Sequence, residues 1–73
     1  MDKQASRAAI VQLKSALQQN KDLAEGRYLL GKALMETGDF VSASVELRKA
    51  QDLKYDPVKV APLLARSLLL QND

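Results

Sequence analysis

The stretch RYLLGKALMETGDFVSASVELRKA, residues 27–50, predicts two short helices joined by a tight turn. Apolar residues recur at spacings of three and four on both sides of Gly38-Asp39, which is the pattern of amphipathic helices. Gly38 can adopt the left-handed conformation that closes a helix, and Asp39 can cap the helix that follows. The stretch therefore predicts an antiparallel helical hairpin.

Parts of this hairpin recur 34 residues away along the chain. Leu30 recurs as Leu64, and Leu34 recurs as Leu68. Three more pairs have the same separation: Ala9 with Ala43, Leu13 with Leu47, and Ala16 with Ala50. A fixed period of this size, filled with helix-forming residues, indicates a repeat array in which each unit is one helical hairpin and neighbours stack.

The rest of the sequence predicts an all-α fold with four helices. Apolar residues are mostly Ala and Leu, whereas Gly and Pro are scarce. Asp22 followed by Glu25 is typical of a capping box, and Asp56-Pro57 is a second helix start. Pro62 is expected to kink the last helix or delay its start. The predicted helices span about residues 3–19, 23–37, 40–53 and 57–71.

Composition argues against an enzyme, a metal site and a nucleic-acid interface. The 73 residues include 11 Lys and Arg against 9 Asp and Glu, which is the balance of a solvated surface. There is no His and no Cys, so the commonest general base and the thiolate metal ligand are missing. No apolar run approaches the roughly 18 residues that would span a membrane. We expect no catalytic residue, no cofactor and no direct membrane insertion.

The hairpin resembles the tetratricopeptide repeat (TPR) pattern W-x2-L-G-x2-Y…A-x3-F…P. The residues that carry the resemblance are Arg27, Leu30, Gly31, Leu34, Gly38, Asp39, Phe40, Ala43, Leu47 and Ala50. The chain departs from the pattern with Arg27 in place of tryptophan and Leu34 in place of tyrosine, and Pro57 comes two residues late. These departures weaken aromatic packing but keep the helical period.

The resemblance implies a right-handed superhelix of antiparallel helical hairpins. Residues 1–23 would be the second helix of a preceding partial repeat, 24–57 a complete repeat, and 58–73 the first helix of a following one. Gly31 and Ala43 must be small so that the two helices of the hairpin can approach. The predicted packing residues are Ala9, Leu13, Ala16, Leu30, Gly31, Leu34, Ala43, Leu47, Ala50, Leu64, Ala65 and Leu68.

A narrower resemblance rests on residues 24–34, 45–50 and 60–69. These segments are similar to the bacterial TPR lipoproteins that accompany PEP-CTERM/exosortase systems. The similarity implies an exported parent protein on the periplasmic side of the cell envelope, linked to exopolysaccharide and protein sorting.

The first helix of each repeat lines the concave groove of a TPR stack, so the resemblance places partner-binding residues on the second and fourth helices. They are Tyr28, Leu29, Lys32, Met35, Glu36, Lys59, Leu63, Arg66, Leu69 and Leu70. Lys32 and Arg66 lie one period apart and could hold an acidic peptide or a terminal carboxylate. The alternative is that both are solvated surface charges.

The predicted function is a non-catalytic module that binds a protein or peptide partner. One alternative is a structural spacer without a ligand, and another is an RNA-binding helical repeat of the pentatricopeptide kind. The balanced charge disfavours RNA.

The last predicted helix has apolar residues on more sides than one buried stripe needs, because Leu68, Leu69 and Leu70 are consecutive. A further helix of a longer parent would explain this excess, and so would a ligand groove. Head-to-tail docking of the last helix of one copy on the first helix of another is a third explanation.

Overall fold

The computed structural model describes residues 3–71, and they form four α-helices. The helices are α1 (Lys3–Gln19), α2 (Ala24–Thr37), α3 (Phe40–Asp52) and α4 (Pro57–Gln71). No strand occurs in this part of the chain. The predicted all-α fold is confirmed, and every helix boundary lies within one residue of its expected place.

Each helix packs against the next one in sequence, and α2 also contacts α4. The connections between helices have only two to four residues, so successive helices run in opposite directions. Because α2 and α4 lie side by side, they form a two-helix surface that α3 supports from behind.

The turn between α2 and α3 forms as the sequence predicts. Gly38 has a φ of 85°, and its N–H donates to the Met35 carbonyl. The Asp39 carboxylate accepts a hydrogen bond from the Ser42 N–H at 3.2 Å. These local bonds satisfy groups at both helix ends and fix the hairpin turn.

The start of α4 is also confirmed. The Asp56 carboxylate accepts a hydrogen bond from the Val58 N–H at 3.0 Å, and the helix begins at Pro57. Pro62 lies inside α4 and does not delay its start.

The predicted capping box of Asp22 and Glu25 is wrong. Leu23 occupies the N-cap position of α2, and no side chain caps the helix there. The Asp22 N–H donates instead to the Asn20 side-chain oxygen at 3.2 Å. This local Asn turn places Asp22 one residue ahead of the cap position, where its carboxylate cannot serve the first turn of α2.

The core has two clusters, one on either side of the hairpin. The first contains Leu17, Leu30, Leu34 and Ala43, with Ile10, Leu13 and Met35 packed around it. The second contains Leu47, Ala50 and Val60, with Tyr28, Tyr55, Leu63 and Leu64 packed around it. Residues from all four helices take part, so the two clusters together position α1 and α4 on the central hairpin.

Gly31 lies where α2 comes closest to α3. A Cβ atom at Gly31 would lie 2.7 Å from the Leu47 Cγ atom and 3.4 Å from the Ala43 carbonyl oxygen. Leu47 and Ala43 are completely buried, so the side chain of Leu47 occupies the space that a larger residue at 31 would need.

Two residues of the predicted packing set, Ala16 and Ala65, are exposed. Ala65 is the counterpart of Gly31, which is covered by the helix that follows it, and no described helix follows α4. Ala16 is the counterpart of Ala50, which shares a cluster with Val60. The residue one period before Val60 is Gly26, which has no side chain to cover Ala16.

Arg27, at the position where the TPR pattern has tryptophan, joins three parts of the fold. Its Nη1 atom donates to the Glu46 carboxylate of α3 at 2.7 Å, and the two side chains are 15% and 13% exposed. Its Nε atom donates to the Lys21 carbonyl at 3.2 Å. A polar link therefore holds the α1–α2 turn and α3 to α2 at this position.

We expect Gly31→Ala to destabilise the fold relative to Gly26→Ala. Both changes replace a glycine of α2 and gain about 0.8–1 kcal/mol of helix propensity. At Gly31 the new methyl group overlaps buried Leu47, whereas at Gly26 the nearest atoms lie 3.3 Å away. Overpacking a well-packed core costs about 1–3 kcal/mol. Urea unfolding followed by circular dichroism measures the difference, and equal stabilities would contradict the packing described here.

We expect Arg27→Met to lower the free energy of unfolding by about 1–3 kcal/mol, because it leaves the partly buried Glu46 without its closest partner. The double variant Arg27→Met with Glu46→Leu should lose less, since no carboxylate then remains unpaired. Lys49→Met is the matched control, because Lys49 contacts Glu46 at 3.5 Å from an exposed position. Its cost should stay below about 1 kcal/mol, and a cost as large as that of Arg27→Met would refute this assignment.

Candidate functional site

A groove between α2 and α4 brings together most of the predicted partner-binding residues. It encloses a cavity of about 350 Å³. Its lining residues are Lys32, Met35, Glu36, Phe40, Leu63, Arg66 and Leu70, which we call the α2–α4 groove. The volume is within the range of small-ligand and side-chain pockets.

The helix packing explains why these side chains converge. Residues 32, 35 and 36 lie on one side of α2, and residues 63, 66 and 70 lie on the facing side of α4. Because α4 is one period after α2, Lys32 and Arg66 occupy equivalent positions on neighbouring helices. Both contribute to the same cavity, as a ladder of cations requires.

The charges in the groove are two cations and one carboxylate. Lys32 and Arg66 are exposed, and neither forms an ion pair with any residue in 3–71. The Glu36 carboxylate is partly buried and accepts a hydrogen bond from the Ser6 hydroxyl at 2.6 Å. The groove therefore offers cationic donors beside apolar side chains.

Tyr28 and Lys59, two of the ten predicted groove residues, lie beside the groove at the α3–α4 turn. Tyr28 stacks on Tyr55, with ring centroids 5.0 Å apart. The Lys59 ammonium group lies 5.9 Å from the centroid of the Tyr55 ring, within the range of a cation–π contact. This cluster packs with Leu63 against the second core cluster and fixes the start of α4.

Leu29 and Leu69 also lie outside the groove. Leu29 points to the opposite side of α2, and Leu69 is 74% exposed. Phe40 is the lining residue that sequence reasoning missed. The search was confined to the second and fourth helices, whereas Phe40 is the first residue of α3 and is placed by the Gly38-Asp39 turn.

A second concave surface lies between α1 and α2 and shares Lys32 and Glu36 with the groove. It has a volume of about 410 Å³ and is mostly apolar. Its lining residues are Ala5, Ser6, Ala9, Gln12, Leu13, Leu29, Lys32, Ala33 and Glu36, which we call the α1–α2 cleft. Ala9 and Leu13, predicted to be packing residues, are only half-buried there.

The described part of the chain contains no group of three or more acidic, histidine or cysteine side chains placed to hold a metal ion. Glu36 and Asp39 are two acidic residues close together in sequence, and both have structural roles. Glu36 accepts a hydrogen bond from the Ser6 hydroxyl, and Asp39 caps α3. Among residues 3–71 no helix is both long and apolar enough to cross a membrane. The groove therefore presents cations and apolar side chains.

Comparison with known proteins agrees with the helical period and the hairpin geometry. The family model of the tetratricopeptide repeat matches residues 1–72. No curated protein and no solved structure matches the chain. Since the family model covers nearly the whole sequence, the chain belongs to the tetratricopeptide repeat family.

Proposed function

We propose that the chain is a non-catalytic interaction module whose α2–α4 groove binds an acidic peptide segment or the carboxyl terminus of a protein partner. Tetratricopeptide repeats are in general protein-interaction scaffolds. The observation that carries the proposal is the pair Lys32 and Arg66, two exposed cations without a carboxylate partner in residues 3–71, lining one cavity.

The cations and their neighbours suit a ligand that is both anionic and apolar. An arginine guanidinium can bind a carboxylate through two parallel hydrogen bonds, and a lysine ammonium adds a point charge. Met35, Leu63 and Phe40 lie beside these cations and can cover an aliphatic side chain of the ligand. The 14 residues of α2 are about 21 Å long. This length accommodates about six residues of an extended peptide.

Nucleic acid fits the groove less well. Two cations and one carboxylate give only weak attraction for a phosphate chain. Proteins that bind single-stranded RNA stack its bases on aromatic rings, but Tyr28 and Tyr55 stack on each other. We therefore assign the groove to a protein or peptide partner.

The cellular setting is proposed from sequence similarity alone. Residues 24–34, 45–50 and 60–69 are similar to TPR lipoproteins of PEP-CTERM/exosortase systems. On that basis the module would act on the periplasmic side of a bacterial envelope, in exopolysaccharide-associated protein sorting. The groove is suited to such a role because the chain termini of folded proteins usually lie at the surface, where a carboxyl terminus is accessible.

We expect Lys32→Glu with Arg66→Glu to weaken binding of acidic peptides at least tenfold. The probe is a fluorescent library of hexapeptides that alternate leucine with acidic residues, and anisotropy measures the dissociation constant. Each lost charge-assisted hydrogen bond is worth about 1.5–3 kcal/mol. The matched control is Arg7→Glu with Arg48→Glu, which reverses two exposed cations of α1 and α3 outside the groove.

Equal affinities for the two double variants would refute the groove assignment. Failure of every peptide to bind the wild-type chain would favour the spacer alternative. Binding of a single-stranded RNA probe, measured at several salt concentrations, tests the RNA-binding alternative. Sub-micromolar binding that falls steeply with salt would assign the groove to RNA.

A further inference from the structure

We infer that α4 of one copy docks in the α1–α2 cleft of a second copy and completes a helical hairpin between the two chains. The cleft differs from the groove that binds peptide in the proposed function, and the two share only Lys32 and Glu36. It rests on the repeat, on the exposed face of α4 and on the charges at the rim of the cleft.

The cleft has the same construction as surfaces that already hold a helix within the chain. Four of its lining residues have a counterpart one period later in the α2–α4 groove: Ser6 with Phe40, Leu29 with Leu63, Lys32 with Arg66, and Glu36 with Leu70. On α1, Ala9 and Leu13 are the counterparts of Ala43 and Leu47, on which α2 packs at Gly31. Within the chain, α2 packs against α3 and α4. The cleft is the equivalent position one repeat earlier, formed by α1 and α2.

The helix that fits this position is one with the sequence pattern of α2, and α4 is the other copy of that pattern. Leu64 and Leu68 of α4 are the counterparts of Leu30 and Leu34 of α2, at the 34-residue period. On the face of α4 that would enter the cleft, Leu64 packs in part against the second core cluster, and the residues beside it are open to solvent within the described chain. Ala65 is exposed there, and Leu69 is 74% exposed. Docking would cover this face as α3 covers the equivalent face of α2.

The charges at the rim favour the same arrangement. In the α2–α4 groove, Lys32 and Leu70 line one cavity. Arg66 is the counterpart of Lys32, and Glu36 is the counterpart of Leu70. The equivalent contact between two copies therefore places Arg66 of the docked α4 beside Glu36 of the receiving copy. Glu36 is held on the rim by its hydrogen bond from the Ser6 hydroxyl. Opposite charges thus meet where the chain itself has a cation beside a leucine.

The fit of α4 in the cleft depends on one difference between α4 and α2. Ala65 stands where α2 has Gly31, and a Cβ atom at Gly31 would lie 2.7 Å from the Leu47 Cγ atom. In the cleft the facing residue is Leu13, which is half-buried, whereas Leu47 is completely buried. Leu13 has room to move aside, so the additional methyl group of Ala65 is accommodated.

The contact joins two different surfaces, the cleft of one copy and α4 of the next. It is therefore heterologous, and copies add head to tail unless the rotation closes a ring. An open assembly of any length keeps one free cleft at one end and one free α4 at the other.

Two blocked variants test this arrangement. Leu69→Asp places a charge on the face of α4 that docks, at an exposed position where the fold is not disturbed. Ala9→Trp fills the cleft, and Ala5→Trp fills it from an exposed position if the first variant does not fold. Val11→Asp is the control, because Val11 is 68% exposed on α1 and does not line the cleft.

Sedimentation equilibrium up to millimolar concentration measures the mass of each species, and circular dichroism checks the helices. We expect the wild type and Val11→Asp to associate, and Leu69→Asp and the tryptophan variant to be monomers. An equimolar mixture of the two blocked variants should form a 1:1 heterodimer that grows no further, because only one free cleft and one free α4 remain to pair.

A monomeric wild type at millimolar concentration would overturn the inference. Association of the tryptophan variant alone would also overturn it, since contact through α4 on both copies would then explain the mass. Every variant in this test keeps Lys32 and Arg66, so its outcome is read separately from peptide binding by the charge-reversed groove variants.

Discussion

The close approach of α2 and α3 at Gly31 is the constraint on which the rest of the structure depends. With no side chain at 31, Leu47 fits against the α2 backbone and is completely buried. Leu47 shares its cluster with Val60 of α4, so the same contact that closes the hairpin also seats the next helix. The contacts of Leu47 with Gly31 and Val60 place α2 and α4 on α3, and they therefore determine the width of the α2–α4 groove.

Equivalent positions in successive repeats make polar contacts in one repeat and apolar contacts in the next. Ser6 and Glu36 form a hydrogen bond between α1 and α2, whereas their counterparts one period later, Phe40 and Leu70, line the α2–α4 groove with apolar atoms. Arg27 likewise uses an ion pair to Glu46 where the family pattern has an aromatic ring. The repeat thus preserves helix positions while the chain exchanges polar and apolar contacts at those positions.

Local features of the fold could be predicted from the sequence, because the residues that determine them are neighbours in the chain. The Gly38-Asp39 turn and the Asp56-Pro57 helix start are examples. The predicted Asp22 cap is also a local feature, but it was wrong because Asn20 forms the turn at that place instead. Six of the seven lining residues of the α2–α4 groove were expected from the family resemblance, which places binding residues on the second and fourth helices, and the 34-residue period relates Lys32 to Arg66.

Features that depend on contacts between distant residues could not be predicted in this way. The stacking of Tyr28 on Tyr55 joins residues far apart in the chain that no periodic pattern relates. Phe40 enters the groove from α3, and the exposure of Ala65 depends on which helices are present to cover it. Periodicity identifies equivalent positions, but a position is buried only where another element lies against it.

Lys32 and Glu36 line both the α2–α4 groove and the α1–α2 cleft, so the two proposed binding events share side chains. In the free chain, Glu36 partly neutralises the cations of the groove. An arginine brought into the cleft by a second copy would draw on the same carboxylate, and the groove would then present a stronger positive field to an anionic ligand. By linkage, a bound anionic peptide would favour the docked copy by an equal factor. Self-association and peptide binding would therefore reinforce each other in the receiving copy through α2, whereas the docking copy would lose the free Arg66 of its own groove to that carboxylate.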